Sequence, residues 1–439
     1  MELIVFLCFL LLFIFNFFLV TKKIDYRNLS FSDGFLIGLL YYISIPMVFI
    51  SFFGEIDTIF NMEPYRPAED IFVTSNILIG AFSVIFSWFV LRRKRPINNY
   101  NFYDLNIKKW SFLFISLYFV FSIISFILSG KASGGHWHET THIALTESTF
   151  FILFLTFTNI IRTCAFGVII FLVEKFSFSR KKAILIGLAI VVFDLLTSFN
   201  RITGVYFIVM MLIIFREYKV RITSGLLIAF PFIFIISSIW PAIRGLALSD
   251  GYSVNNFMDA TSSAIDNFKD NFSNTINNFL FPIFESANIV AFKYVITNSG
   301  SVDFPYLMGE TYLVRSIFFL IPTTIWEDKP AVFASILGDH MQGGGVAINS
   351  TFFGEIYANF YFLWPIVLIL SVIILNEIFI RLKRWFAPAS FCGAFIAFAL
   401  WRFDATFMGT SIFLILIFVL FKSLVLNLTN AVKKKNHRL

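Results

Sequence analysis

Long apolar runs dominate this 439-residue sequence and constrain its fold more than any other feature. Most of them reach about 20 residues, the length at which a helix crosses the hydrocarbon core of a bilayer. Only 14% of the residues are charged, whereas soluble domains contain roughly 25%. The chain therefore lacks the polar side chains to cover a soluble surface, which excludes a soluble enzyme and a nucleic-acid-binding protein.

These runs predict an all-α polytopic membrane protein with about eleven transmembrane helices. The predicted spans are 2–20, 34–53, 71–91, 110–129, 148–173, 183–199, 202–215, 222–240, 352–375, 389–400 and 407–426.

Lys and Arg residues are distributed unevenly between the alternating loops. One set of loops holds 23 of the 34 basic residues, and the other set holds nine. Because basic residues are enriched in cytoplasmic loops, the richer set is predicted to be cytoplasmic. This orientation places the N-terminus outside and the C-terminus inside, and it explains the net charge of +7 without a nucleic-acid partner.

One predicted outer loop, residues 241–351, is far longer than all the others. It divides the chain into an N-terminal bundle of eight spans (1–240), the loop itself, and the last spans with a basic tail (352–439).

The long loop contains patterns of its own. Apolar residues at steps of three and four over 257–279 predict an amphipathic helix on the bundle or in the membrane interface. Residues 279–296 and 311–325 are apolar but interrupted by proline, which predicts re-entrant or interfacial helices. If both of these crossed the membrane, the chain would have thirteen spans.

Ionisable residues within or beside the spans are candidates for function, because charge inside a bilayer is costly. Arg162 and Asp194 lie in neighbouring predicted helices, where they either form a structural ion pair or line a functional site. Arg402 and Asp404 lie together between the last two spans.

Several basic residues lie on the predicted outer side, against the topological bias. A polyanionic substrate such as a lipid pyrophosphate is one reason to keep them there, because guanidinium groups bind phosphate in a bidentate manner. Anchoring to headgroups or pairing with nearby carboxylates is the alternative. These residues are Arg201, Arg244, Arg315, Lys329 and Arg402.

A histidine group, which includes His136 and His138, lies in the predicted outer loop between the fourth and fifth spans. We favour contact with a sugar or a solvated loop over metal binding, and we expect no metal or cofactor. The sequence contains neither a Walker A motif nor a G-x-S-x-G elbow, so neither ATP-driven transport nor serine-hydrolase chemistry is predicted.

Three stretches resemble the bacterial oligosaccharide repeat-unit (O-antigen, Wzy-type) polymerases. The first is Asp194-Leu-Leu-Thr-Ser-Phe-Asn-Arg201, a polar break that leads into an apolar run. The second runs from Gly309-Glu310-Thr-Tyr through Ile321-Pro322 to Lys329-Pro330, and the third is the Gly/Glu/Tyr/Asn-Phe helix opening within 350–360. The long outer loop lies in the part of the chain where that family has one.

This resemblance implies a GT-C-like glycosyltransferase in the bacterial cytoplasmic membrane. It would transfer a growing glycan from one undecaprenyl pyrophosphate onto another lipid-linked repeat unit at the outer face. The implied partners are these lipid-linked glycans, the bilayer and a chain-length regulator in the membrane.

The same resemblance assigns roles to residues. Arg201, Arg244 and Arg315, with Lys329, would stabilise the charge of the pyrophosphate leaving group. Glu355, or else Glu310, would accept the proton of the attacking hydroxyl. Tyr357 would stack on a sugar ring.

Two other classes of function stay open from the sequence. A lipid-linked oligosaccharide flippase would use Arg162 and Asp194 in a charged cavity, although it has little use for a long outer loop. An O-antigen ligase would share the loop and the arginines, and a membrane acyltransferase is a more distant alternative.

Overall fold

A computed structural model describes most of the chain. Within the described ranges the protein is helical and contains no β-strand, which confirms the predicted all-α class. The described residues are 1–56, 63–92, 105–128, 149–198, 202–216, 258, 262, 287–321, 324–342, 348 and 351–436.

The helices of the described ranges are numbered here in chain order. They are α1 (Glu2–Phe18), α2 (Phe31–Leu39), α3 (Ile45–Phe53), α4 (Ile71–Arg92), α5 (Leu105–Leu128), α6 (Thr149–Phe176), α7 (Arg180–Ser198), α8 (Ile202–Phe215), α9 (Ala287–Asn298), α10 (Phe333–Gln342), α11 (Phe352–Phe360), α12 (Trp364–Leu382), α13 (Ala389–Ala399) and α14 (Ala405–Asn436).

Seven helical segments of the described ranges are long and apolar enough to cross a membrane, which agrees with a polytopic membrane protein. The predicted spans 202–215 and 389–400 form shorter helices, and 222–240 lies outside the described residues. The seven segments are Glu2–Lys23, Phe31–Phe53, Ile71–Arg92, Asn106–Leu128, Phe154–Phe176, Phe352–Leu382 and Ala405–Leu428.

Helix α13 forms the centre of the bundle, and all eleven of its residues are buried. It packs between α2 and α6, each of which places a glycine against its backbone. A Cβ atom on Gly34 would lie 1.8 Å from the carbonyl oxygen of Ala394, and one on Gly167 would lie 2.6 Å from that of Phe391. Small residues are what allow membrane helices to approach this closely.

The predicted span 352–375 lies within the candidate crossing segment Phe352–Leu382, but this segment is not a single straight helix. The rings of Phe353 and Trp364 lie 5.8 Å apart, whereas eleven residues of straight helix would separate them by about 16 Å. The chain reverses at residues 361–363, so that α11 is a short helix folded back against α12.

The described part of the long loop contains short elements. Helix α9 has 12 residues, or about 18 Å, and residues 310–315 form a single π-helical segment. Residues 279–286, the first part of the predicted segment 279–296, lie outside the described residues. The predicted amphipathic helix over 257–279 lies outside the described residues except for Met258 and Ser262.

Arg162 and Asp194 form the predicted ion pair between α6 and α7. Their side chains are both 1% exposed, and Nη1 of Arg162 lies 2.9 Å from Oδ1 of Asp194. The hydroxyls of Tyr118 and Thr203 also donate to the Asp194 carboxylate. Because hydrogen-bond donors from three other helices, one of them the Arg162 guanidinium, surround this carboxylate, we assign the pair a structural role.

Candidate functional site

A buried polar cluster lies where α11, α14 and the 310–315 segment meet. At its centre is Glu355, in the first turn of α11, whose side chain is completely buried. Its Oε2 accepts the N–H of Ala405 at 2.6 Å, so it caps the N-terminus of the neighbouring helix α14. Among the described residues, its Oε1 makes no hydrogen bond within the usual distance, and the Thr311 hydroxyl interacts with the same carboxylate. A carboxylate buried with so few hydrogen-bond donors is costly, which makes this group a candidate for chemistry.

Asn359 fixes the position of the 310–315 segment relative to α11. Its amide nitrogen donates to the hydroxyl of Thr311 at 2.8 Å and to the main-chain oxygen of Glu355 at 2.7 Å. Its amide oxygen accepts the N–H of Gly309 at 3.0 Å. The side chain therefore uses both its donor and its acceptor to join two elements, which makes the site rigid.

A second buried carboxylate, Asp404, lies next to Glu355. It immediately precedes α14 and accepts the N–H of Phe407 at 3.3 Å. It interacts electrostatically with Glu355 on one side and with the Arg315 guanidinium on the other. The N-terminus of α14 thus carries two carboxylates, a placement that its helix dipole stabilises.

Arg315 provides a positive charge beside this carboxylate pair. Burial lowers the pKa of its guanidinium, and the Asp404 carboxylate opposes that shift. Its Nε is buried and, among the described residues, makes no hydrogen bond. A guanidinium in this state retains its capacity to bind an anion.

Lys329 extends the positive charge. Its Nζ donates to the carbonyl oxygens of Phe319 at 2.8 Å and Ile321 at 2.5 Å. Burial, followed by the nearby Arg315 guanidinium, lowers the pKa of the Lys329 amine to about 8. The structure therefore brings together three of the predicted site residues, namely Glu355, Arg315 and Lys329.

The depth of the cluster follows from the length of α14. Lys422, on the same helix as Ala405, donates to the carbonyl oxygen of Trp385 just after the end of α12. Seventeen residues of α-helix place Ala405 about 25 Å from Lys422. The cluster therefore lies about 25 Å along α14 from the loop that contains Trp385.

Two predicted site residues are not part of this cluster. Glu310, the first residue of the 310–315 segment, is exposed. Tyr357 is only 3% exposed, with its ring packed against Tyr361 and Trp364, so the expectation that it stacks on a sugar is not met in this conformation. The remaining predicted site residues, Arg201, Arg244, His136 and His138, lie outside the described residues.

Sequence reasoning did not assign roles to Asp404, Asn359 or Thr311. Asp404 carries a signal in the sequence, because it is an ionisable residue beside a span. Asn359 and Thr311 stand in two of the stretches that carry the family resemblance, but the sequence does not show the contact between them, which joins residues 48 positions apart.

The cluster combines proton-accepting carboxylates with cationic groups able to bind phosphate. No group of three or more potential metal ligands occurs among the described residues. The sequence matches no protein-family model, no curated protein and no solved structure.

Proposed function

We propose that this chain is an integral-membrane glycosyltransferase of the O-antigen polymerase type. It transfers a growing glycan from one undecaprenyl pyrophosphate carrier onto a second lipid-linked repeat unit. The observation that carries this proposal is the buried cluster, in which the Glu355 carboxylate and the Arg315 guanidinium both interact with Asp404. The motif resemblance over 194–201 and 309–360 supports the same assignment.

The proposed reaction uses the two sides of the cluster differently. The acceptor hydroxyl attacks the anomeric carbon of the donor glycan, and its proton passes to Oε1 of Glu355. The bond from that carbon to the pyrophosphate breaks, and the electron pair leaves with the pyrophosphate. Arg315 and Lys329 stabilise the negative charge that accumulates there. Arg201 and Arg244 are proposed as further pyrophosphate ligands, and His136 and His138 as sugar contacts.

The reaction is assigned to the outer face of a bacterial cytoplasmic membrane. The charge distribution of the loops, together with the 25 Å estimated above, supports a site in the outer half of the bilayer. We propose eleven spans in a GT-C-like arrangement, and a membrane chain-length regulator as partner. Because Glu355 is buried, substrate entry requires a conformational change that exposes its carboxylate.

Deletion of the gene, followed by gel analysis of the surface polysaccharide, tests this function. We expect cores that carry a single repeat unit, with the full ladder restored by the wild-type gene. Cores without any repeat unit would indicate a ligase or a flippase instead, and a normal ladder would exclude all three functions.

Replacement of Glu355 by glutamine tests the catalytic assignment. The amide oxygen of glutamine can still accept the N–H of Ala405, so the protein should accumulate normally in the membrane. Loss of the proton acceptor should reduce polymerisation by roughly 10²–10⁴-fold. Glu310→Gln, at the exposed carboxylate, is the matched control and should retain the ladder. If Glu355→Gln retained the full polysaccharide ladder, the only remaining role of Glu355 would be to cap the N-terminus of α14.

One observation favours a transporter as the second candidate. The segment Phe352–Leu382 is interrupted at residues 361–363 and holds a buried carboxylate in its first part. Interrupted helices with ionisable residues near the break are typical of substrate sites in transporters. A transporter role predicts repeat units trapped on the cytoplasmic side in the deletion strain.

A further inference from the structure

Tyr361 has a costly backbone conformation at the turn between α11 and α12. Its φ of 43° and ψ of −122° lie outside the regions that a residue with a side chain adopts readily. Glycine tolerates such a turn without steric cost. A tyrosine held in strain while its side chain remains 44% exposed is a sign of function, because strain of this kind concentrates at binding and catalytic sites.

The ring of Tyr361 packs against two other aromatic rings. Its centroid lies 4.8 Å from that of Tyr306 at an interplanar angle of 42°. The buried ring of Tyr357 meets it edge-on at 6.1 Å. Tyr306 and Tyr361 therefore form a partly exposed tyrosine pair that packs against the buried ring of Tyr357.

The loop that carries Tyr306 is fixed to the end of α11. The N–H of Leu307 donates to the carbonyl oxygen of Ala358 at 3.0 Å, and the N–H of Gly309 donates to the side chain of Asn359. Next to Leu307, Met308 also has a positive φ, of 46°. Two of the three non-glycine residues with positive φ in the described part of the chain thus lie at this tyrosine pair.

The tyrosine pair lies close to the buried carboxylates. Six residues of α11 separate Tyr361 from Glu355, which corresponds to about 9 Å along a helix. Asn359 bonds to the main chain of Glu355 and to the loop of Tyr306, so it connects both sites directly.

We propose that Tyr306 and Tyr361 form a platform on which a pyranose ring of the substrate glycan stacks, next to the bond that reacts at Glu355. This inference rests on the function proposed above. The C–H face of a pyranose is apolar and complements the electron-rich face of an aromatic ring, while the two phenol groups can hydrogen-bond to sugar hydroxyls. The strain at Tyr361 keeps that ring in place before the sugar arrives.

Anchoring in the membrane interface is the competing explanation for these aromatics. The neighbouring residue Phe362 separates the two explanations, because it is 74% exposed and its φ is not positive. Its ring meets that of Tyr361 edge-on at 5.9 Å, but without it Tyr361 still packs against Tyr306 and Tyr357. An interfacial role predicts equal effects at Tyr361 and Phe362, whereas the platform predicts an effect at Tyr361 alone.

The test uses a deletion strain complemented with the wild-type gene, Tyr361→Gly, Tyr306→Ala or Phe362→Gly. In Tyr361→Gly the strain is removed, so the thermal midpoint of the purified protein should be equal to or higher than that of the wild type. The number of repeat units per chain should nevertheless fall by about tenfold, as expected for the loss of one stacking contact. Tyr306→Ala should cause a similar loss, and Phe362→Gly should retain the wild-type ladder.

Two results would refute the tyrosine platform without refuting the proposed polymerase function. A wild-type ladder in Tyr306→Ala and Tyr361→Gly, at normal membrane levels, would refute the platform while leaving the polymerase function intact. An equal loss in Tyr361→Gly and Phe362→Gly would assign the aromatics to the interface. Failure of the wild-type gene to restore any ladder would instead reject the proposed function, and the platform with it.

Discussion

At the scale of single residues, the charged groups of this protein fall into two kinds of buried site. Arg162 and Asp194 neutralise each other between helices, as the sequence predicted. Glu355 and Asp404 are instead like charges placed side by side, with Arg315 and Lys329 near them. Like charges buried together lower stability, so their retention points to a function.

The amine of Lys329 predicts a pH dependence for the binding of polyprenyl pyrophosphate. Only the protonated amine attracts the anion, and its pKa is about 8. Affinity should therefore be high below that pH and fall as the pH rises through it. Binding to the detergent-purified protein, measured between about pH 6.5 and about pH 9.5, tests this expectation. Lys329→Arg should flatten the profile, since arginine stays charged. A flat wild-type profile would remove Lys329 from the anion site.

The Arg162–Asp194 pair predicts a strong coupling in stability. Arg162→Met or Asp194→Leu alone leaves an uncompensated buried charge and should cost about 3–5 kcal/mol. The double variant removes both charges and should be markedly more stable than either single variant. Thermal unfolding in detergent measures all three, and additive losses would contradict a structural ion pair.

Much of the residue-level picture was predictable, because charge is rare in this sequence. The cost of burying ionisable groups identified Arg162 and Asp194, the excess of outer basic residues identified Arg315, and Glu355 was a candidate through the family resemblance. It could not indicate that Tyr357 is buried while Tyr361 is exposed, since both are aromatic residues near a membrane boundary. That difference arises from the chain reversal at residues 361–363, which depends on packing against α12.

At the scale of helices, the apolar runs predicted well where the helices lie along the chain. They did not predict where a helix is interrupted. Helix α4 begins and ends within one residue of its predicted span. The run 352–375 contains α11, a turn and part of α12, and its apolar composition is continuous across the break. Hydropathy measures the cost of transfer into lipid, so it carries no information about where a buried chain turns.

The close packing around α13 predicts which glycines are essential. Gly34→Ala should greatly reduce the amount of folded protein, because its Cβ would overlap the backbone of Ala394 and a backbone cannot rotate away. Gly204→Ala is the matched control, since no side chain and no other element of the described residues lies within 4 Å of the added Cβ. It should be neutral or stabilise by about 0.5–1 kcal/mol. Size-exclusion chromatography of the protein in detergent measures the yield of folded protein for both variants. Equal yields would contradict the packing of α2 against α13.

At the scale of the whole molecule, the loop charges predict the orientation. In a Cys8→Ser background, Ser301→Cys should react with an impermeant thiol reagent in intact cells, whereas Arg384→Cys should react only after permeabilisation. Both positions are exposed, and the other two native cysteines are buried. The reverse pattern would place the polar cluster in the cytoplasmic half and reject the proposed outer-face reaction.

The complete burial of α13 also bears on biogenesis. Its eleven residues are too few to be recognised as a span by the insertion machinery, and none of them faces lipid. Helix α13 packs between α2 and α6, which are synthesised more than 200 residues earlier. The helix bundle therefore completes its packing only after the last part of the chain has been synthesised. A chain that ends before residue 389 lacks α13, the helix against which α2 and α6 pack.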